Sequence, residues 1–306
     1  MNILFLSILA DYLVPKIQLR LSPEQKTKIH FFDELNIPPE QADIIFMDYS
    51  IIEYSELFYE MLKSKKKVVL LINEDHYNEI NKILYETGVN HLFCVSENSL
   101  DLNYISDISE FIQNWSQERN TANIMPVPKH VTTTKIISSK NVDLSIENLL
   151  KGHDFTNCFD GLPSLITNIL DEALSNALFN APVDKAGIYL YRNHCRSEIV
   201  KAIPGKEVEV SLLTDDKDTV ISIKDFYGTL TENNLFDYPP AFGEERKKDM
   251  RLGMYLIFRY GHKYLINVSQ GSYTENIIVI ENSRRFKNYD LRERSFHFFI
   301  KEQKIL

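Results

Sequence analysis

The stretch LDEALSNALFNA, residues 170–181, carries the clearest structural signal in this chain. Within it an acid and two amides recur every four residues, at Glu172, Asn176 and Asn180. Because an α-helix turns once in about 3.6 residues, these three side chains are predicted to lie along one helix face. The opposite face is apolar and is predicted to pack against the core: it comprises Ile169, Ala173, Leu174, Ala177 and Leu178.

The polar face of this helix has residue types that can ligate a metal ion and act on a hydroxyl group. An amide oxygen can ligate Mg²⁺, and a carboxylate one turn earlier can orient or deprotonate a hydroxyl group. A solvated polar face is the alternative interpretation. The pattern resembles the first nucleotide-binding box of the GHKL ATPase superfamily, which includes histidine kinases and anti-sigma-factor serine kinases. The resemblance implies that Glu172 is a general base or water-positioning residue, that Asn176 holds Mg²⁺ and that Asn180 belongs to the nucleotide site.

The composition of the chain narrows the classes of function. With 306 residues, of which 44% are apolar and 25% charged, we expect a soluble protein of two globular domains. The formal net charge of −9 argues against general affinity for nucleic acid or anionic lipid. No apolar run has the length of a membrane span, and residues 1–6 are predicted to form a strand rather than a signal peptide. The cysteines are odd in number and widely spaced, which favours a reducing cytoplasm over a disulfide framework or a metal site: Cys94, Cys158 and Cys195.

Residues 1–120 alternate short apolar runs with amphipathic segments. Continuous apolar strands that are separated by helices are typical of a buried parallel sheet. We therefore predict a doubly wound α/β domain here. Its five predicted strands are Ile3–Leu9, Ile29–Phe32, Ile44–Met47, Val68–Ile72 and His91–Val95.

The third predicted strand ends in an acid, Asp48, and functional groups gather at the carboxyl ends of parallel strands. The region resembles the receiver domain of bacterial response regulators, which implies that Asp48 is a candidate phosphoacceptor. The family's acidic pair after strand one is replaced by the sequence LSIL at residues 6–9. Its lysine after strand five is replaced by Val95 or Ser96. Because phosphoryl transfer would lack its main charge stabilisation, we favour a pseudo-receiver, with Asp48 as a turn-capping acid as the alternative.

Residues 121–150 are predicted to link the two domains. The region contains Pro126 and Pro128, and residues 120–140 lack glycine, so it is not a freely flexible tether. Val131–Ser138 has the composition of a strand and could extend the sheet of either domain. A structured connector and a plain spacer both remain open.

Residues 151–306 place one long helix before a run of strands, which predicts an α/β sandwich. This order resembles the GHKL (Bergerat-like) fold, in which helices pack on one face of a mixed sheet. The predicted strands show alternation or β-branched enrichment. They are Val208–Leu213, Thr219–Lys224, Lys263–Val268, Asn276–Ile280 and Phe296–Ile300.

The second of these strands is followed by a carboxylate and a glycine turn, Asp225 to Gly228. A carboxylate can accept a hydrogen bond from an adenine amino group, and a glycine turn lets the backbone approach the base. The segment resembles the Asp-x-Gly-x-Gly box of the GHKL family, which implies that Asp225 and Gly228 contact the nucleotide. Tyr227 stands where the first glycine belongs, and Gly228 is displaced by one place. A plain hairpin turn is the alternative interpretation.

Two further segments complete the resemblance. Gly253 matches the end of the family's lid turn, which binds phosphate at a helix start, although the earlier glycines are missing. Side-chain charge from Arg251, Lys247 and Lys248 could take over that role, or these residues could be a solvated charge run. Thr274 lies in a predicted hairpin and matches the family's threonine that bonds the base or the aspartate.

The four segments occur in the order of the GHKL family, and this order implies an ATP- and Mg²⁺-binding domain in a bacterial signal-transduction regulator. The enzymatic hypothesis is a protein serine/threonine kinase in an anti-sigma-like partner-switching pathway. The alternative is a non-catalytic scaffold of pseudo-receiver and pseudo-ATPase. The expected partner is a regulatory protein, either an anti-sigma antagonist or a sigma-like factor, and a homodimer remains open. A DNA-binding regulator is the least favoured alternative because no helix-turn-helix pattern is present.

Overall fold

The computed structural model of this protein is mixed α/β and divides into two units, Met1–Glu118 and Arg119–Leu306. The boundary lies two residues from the predicted end of the first domain. The structure describes residues 3–6, 29–31, 42–49, 67–73, 83, 87–94, 121–231, 234–235, 256–282 and 294–301.

Within its described residues, the first unit contains five strands of one sheet, and every neighbouring pair of these is parallel. The strand order is β2-β1-β3-β4-β5, which is one of the two common orders of doubly wound sheets. Of the helices predicted between the strands, the structure describes residues 83 and 87, which are both helical, and the rest lies outside the described residues. The strands are β1 (Ile3–Leu6), β2 (Ile29–Phe31), β3 (Ile44–Asp48), β4 (Lys67–Ile72) and β5 (His91–Cys94).

Strands β3 and β5 of this sheet consist mainly of consecutive apolar residues, as expected for strands covered on both faces. Every residue of β3 is buried, and so is every residue of β5. The rings of Phe46 and Phe93 lie 6.2 Å apart between their centroids and help to join these strands across the sheet. The buried apolar runs that the sequence predicted therefore form the core of the first unit.

The second unit contains a six-stranded mixed sheet with the order β11-β9-β10-β8-β7-β6. Its neighbouring strands are antiparallel except for β9 and β11, which are parallel. The strands are β6 (His130–Ile136), β7 (Val208–Thr214), β8 (Asp218–Asp225), β9 (Lys263–Ser269), β10 (Tyr273–Glu281) and β11 (Arg294–Lys301).

The residues predicted to form a linker, 121–150, are built into the second unit. They form a short helix α1 (Thr121–Ile124), strand β6, a 3₁₀ turn (Ser139–Asn141) and helix α2 (Val142–Lys151). Strand β6 pairs with β7 from His130↔Thr214 to Ile136↔Val208, so it extends the sheet of this unit. Of the two sheets that the predicted strand could have joined, the structure selects the second.

Helix α3 (Leu162–Ser175) continues directly into a π-helical turn (Asn176–Asn180) and packs on β8. A proline stands near its start, where the missing N–H costs no helical hydrogen bond. All five residues of the predicted apolar face are at most 3% exposed, which confirms that face. Within the described residues, no helix is long and apolar enough to cross a membrane.

Candidate functional site

The end of α3 carries the predicted acid and amides. The side chains of Glu172, Asn176 and Asn180 are all half-buried, in contrast to the buried apolar residues between them. The Asn180 amide Nδ2 donates to Oδ1 of Asn176 over 3.0 Å. The backbone N–H of Ala181 donates to the carbonyl oxygen of Asn176 over 3.1 Å, five residues back, which is the hydrogen bond of a π turn. Such turns occur frequently at functional sites.

The carboxylate of Glu172 is held by an arginine that lies 24 residues further along the chain. Arg196 Nη1 donates to Oε2 over 3.1 Å, and Nη2 donates to Oε1 over 3.0 Å. This bidentate contact raises the pKa of Arg196. The pKa of the neighbouring Asp171 carboxyl is also raised, mainly by burial and against the attraction of Arg196. Sequence reasoning missed Arg196 because it lies in an irregular segment with no periodic pattern.

The predicted adenine-selecting acid, Asp225, lies at the end of β8 and is 4% exposed. Its Oδ1 accepts the backbone N–H of Tyr227 over 2.9 Å. Its register partner across the sheet is Thr274 in β10, whose hydroxyl and backbone N–H also bond the carboxylate, together with the N–H of Gly228. Burial raises the pKa of Asp225 to about 6, although each of these hydrogen bonds opposes the shift. The structure thus brings Asp225, Gly228 and Thr274 together.

Gly228 forms the close approach between the turn after β8 and the turn between β9 and β10. Its φ of +60° is in the left-handed region, and its carbonyl oxygen accepts the N–H of Gly271 over 3.1 Å. A Cβ at this position would lie 2.2 Å from the carbonyl oxygen of Ser269 and 2.8 Å from the N–H nitrogen of Ser272. Both the dihedral angle and the space therefore require glycine here.

Tyr227 stands where the GHKL pattern has its first glycine, and its side chain is buried. The side chain is 3% exposed, and the ammonium group of Lys206 lies 4.6 Å from the centroid of its ring. Burial raises the pKa of the phenol. The turn thus keeps glycine only at the place where the backbones meet, and it carries a packed aromatic residue one position earlier.

Asp225 and Tyr264 lie on one face of the second unit's sheet. Asp225 and Ile221 are four residues apart on β8, so their side chains face the same side. Ile221 pairs with Ile278 of β10, and Ile278 pairs with Tyr264 of β9, so Tyr264 faces that side too. Burial raises the pKa of Tyr264, and the negative charge of Glu172 raises it further. The hydroxyl of Tyr264 donates to Oδ1 of Asn276 over 2.8 Å.

A direct hydrogen bond links the turn after β8 to the turn that follows α3. The hydroxyl of Thr229 donates to the carbonyl oxygen of Ala181 over 3.0 Å. The π turn also packs against β8. The candidate site is accordingly the edge of the sheet face where the end of α3, the turn at Gly228 and Thr274 meet.

The donor set at this edge suits a magnesium nucleotide. The half-buried amide oxygen of Asn176 is a hard ligand of the kind that Mg²⁺ accepts alongside phosphate oxygens and water. The buried Asp225 carboxylate is an acceptor for an exocyclic amino group. Within the described residues, no cluster of three or more histidine, cysteine, aspartate or glutamate side chains could hold a metal by itself.

Gly253 is outside the described residues, as are Lys247, Lys248 and Arg251. The helical residues 256–260 follow them, in agreement with a helix after the predicted lid turn. Asp48 belongs to the first unit, where it is 8% exposed at the carboxyl end of β3 and paired with Leu71 of β4. Its predicted place at the end of a parallel strand is confirmed, and its role as a phosphoacceptor stays a prediction.

No protein-family model matches this chain, and no curated protein matches it. The resemblance to GHKL and receiver domains therefore rests on the sequence motifs.

Proposed function

We propose that the second unit binds ATP with Mg²⁺ and that the protein is a signalling regulator of the GHKL type. The observation that carries this proposal is the hydrogen bond from Thr229 to Ala181, which joins the turn after β8 to the turn after α3, because these two turns adjoin the six predicted residues. They are Glu172, Asn176 and Asn180 from α3 and its π turn, Asp225 and Gly228 from the end of β8, and Thr274 from β10.

In the proposed complex, the Asp225 carboxylate accepts a hydrogen bond from the adenine amino group. Thr274 holds that carboxylate in position by its own hydrogen bonds. Gly228 keeps the turn close to the hairpin, so the backbone lies beside the base. Selection for adenine follows, because the oxygen of guanine at the corresponding position would face a carboxylate rather than a donor.

Asn176 is proposed to hold Mg²⁺ through its amide oxygen. That oxygen now accepts from Asn180, so metal binding exchanges this hydrogen bond for a metal ligand. The bound ion supplies charge neutralisation for the phosphate oxygens. Asn180, released from Asn176, retains an amide that can donate to a phosphate oxygen.

The catalytic form of the proposal is a cytoplasmic protein serine/threonine kinase that acts on an anti-sigma antagonist. Glu172 would accept the proton of the attacking hydroxyl group. The second candidate is a scaffold that grips a regulator or a sigma-like factor without turnover. It is favoured by the bidentate pairing of Glu172 with Arg196, which occupies both oxygens of the carboxylate. A phosphorylation assay on a bound partner protein separates the kinase from the scaffold. A kinase would phosphorylate the partner as wild-type protein but not as the Glu172→Gln variant.

The first unit is proposed to be a pseudo-receiver. Support comes from its strand order and from the position of Asp48 at the carboxyl end of β3. The sequence lacks an acidic metal-binding pair and a lysine at the positions where a receiver has them. This unit would therefore act through contacts with other proteins, without a phosphoryl group on Asp48.

ATP binding is tested by calorimetry with MgATP on wild-type protein, Asn176→Ala and a matched control, Asn193→Ala. Asn193 is an exposed asparagine of the segment after α3 and lies outside the proposed site. We expect micromolar binding in the wild type and in the control, and its loss in Asn176→Ala or when EDTA removes the metal. Absence of heat at millimolar ATP in the wild type would contradict the proposal.

A further inference from the structure

The ion pair between Arg196 and Glu172 is unevenly placed with respect to solvent. The side chain of Glu172 is 13% exposed, whereas that of Arg196 is 55% exposed. Both carboxylate oxygens are used, each by a different guanidinium nitrogen. The acid is therefore the more buried member of the pair, and the arginine covers it from the solvent side.

Arg196 belongs to a long irregular segment, residues 182–207, between the π turn and β7. The segment is anchored near both ends. Val183 bridges Tyr189, and Leu190 N–H donates to the carbonyl oxygen of Pro182 over 3.0 Å. Further on, the backbone of residues 200–202 bonds to that of residues 137–139. Between these anchors, Arg196 ties residues 191–199 to α3.

We propose that Arg196 is a latch that exchanges the Glu172 carboxylate for the phosphate chain of an incoming nucleotide. This inference rests on the proposed function. A guanidinium group forms the same forked pair of hydrogen bonds with a carboxylate and with a phosphate, so one side chain can serve both anions. The exposed side of the guanidinium faces solvent, where a polyphosphate would arrive.

The competition favours the phosphate. Solvent reaches the guanidinium side of the ion pair and screens it, which weakens the existing contact. A polyphosphate carries more negative charge than a single carboxylate and gains more from the same guanidinium. Without the Arg196 guanidinium group, the Glu172 carboxylate is unpaired in a largely buried position beside the nucleotide. Arg196 is thus a positioning residue that keeps Glu172 engaged until phosphate is bound.

The latch is tested with inorganic tripolyphosphate as the probe, measured by calorimetry on the full chain. We expect Arg196→Ala to weaken its binding about tenfold, because charged hydrogen bonds to the phosphate are lost. We expect Glu172→Gln to strengthen binding, because Arg196 is then free. A merely structural ion pair would make both variants change affinity in the same direction.

Two controls separate the latch from simple charge effects. Arg192→Ala removes the same charge from the same segment, but the Arg192 guanidinium carbon lies 4.9 Å from the centroid of the Tyr189 ring, and Arg192 does not pair with Glu172. It should leave tripolyphosphate affinity within about twofold of the wild type, since it affects only long-range attraction. In the double variant, the gain from Glu172→Gln should vanish. If Glu172→Gln still raises tripolyphosphate affinity in the absence of Arg196, its effect is the removal of carboxylate–phosphate repulsion, and the latch is overturned. Equal losses of affinity in Arg192→Ala and Arg196→Ala would also overturn it.

Hydrogen exchange gives a second readout without any nucleotide. Amides of residues 191–199 should exchange faster in Arg196→Ala and in Glu172→Gln than in Arg192→Ala, and unchanged exchange would overturn the latch. In the wild type, tripolyphosphate should produce the same acceleration. If ATP binds but tripolyphosphate does not, the latch fails and nucleotide binding stands. If neither binds, the proposed function fails together with it.

Discussion

Gly228→Ala should destabilise the second unit through two separable effects. At φ +60° an alanine pays about 1–2 kcal/mol for its left-handed backbone. The new Cβ would also lie 2.2 Å from the carbonyl oxygen of Ser269 and 2.9 Å from the N–H nitrogen of Gly271. Both are backbone atoms of the hairpin turn, so the hairpin itself must shift, which adds about 1–3 kcal/mol. We expect a total loss of about 2–5 kcal/mol.

Gly187→Ala is the matched control for this substitution. Gly187 also has a positive φ, +80°, and belongs to the same unit, but a Cβ there would meet no atom within 4 Å. It should therefore show the backbone cost alone. Urea unfolding of both variants, read on the same transition, isolates the contribution of the close approach. Equal losses in the two variants would refute the reasoning that Gly228 is required by the space between the two turns.

Two further predictions concern Asp225. The pKa of its carboxyl is raised from 3.8 to about 6 in the folded state. Between these two pH values the folded chain binds more protons than the unfolded chain. The free energy of unfolding therefore falls as pH rises through this window, by up to about 3 kcal/mol. Asp225→Asn should remove this slope from thermal unfolding curves recorded between about pH 4 and pH 7, and an unchanged slope would assign it to another group. Thr274→Val should cost about 1–2 kcal/mol at pH 7 in urea unfolding, because a buried charged acceptor loses one donor. Thr133→Val, on the exposed side of β6, is its control and should stay within about 0.5 kcal/mol of the wild type.

Periodicity and local chemistry were enough to predict several elements. The helical stretch predicted at residues 170–181 and its buried face follow from the spacing of apolar residues, because a helix repeats its faces at fixed intervals. In the structure this stretch is the end of α3 and the π turn that follows it. The parallel strands of the first unit follow from continuous apolar runs. The pairing of Asp225 with Thr274 was accessible only through the resemblance, since the two residues are far apart in sequence and no local rule relates them.

Other features depend on which residues folding brings together. The strand at residues 130–136 could have joined either sheet, and its register with β7 decided that it belongs to the second unit. The partner of Glu172 comes from an irregular segment, whose course no periodic pattern specifies.

The sequence by itself determined the residue types of the candidate site and their order along the chain. It also determined the helical and strand periods of the elements that carry these residues, because such periods are local properties. The tertiary structure decided their chemistry. Burial at the end of β8 sets the pKa of Asp225, and the meeting of two turns makes glycine necessary at position 228. Both effects arise from atoms that are distant in sequence, so they exist only after the sheet has formed.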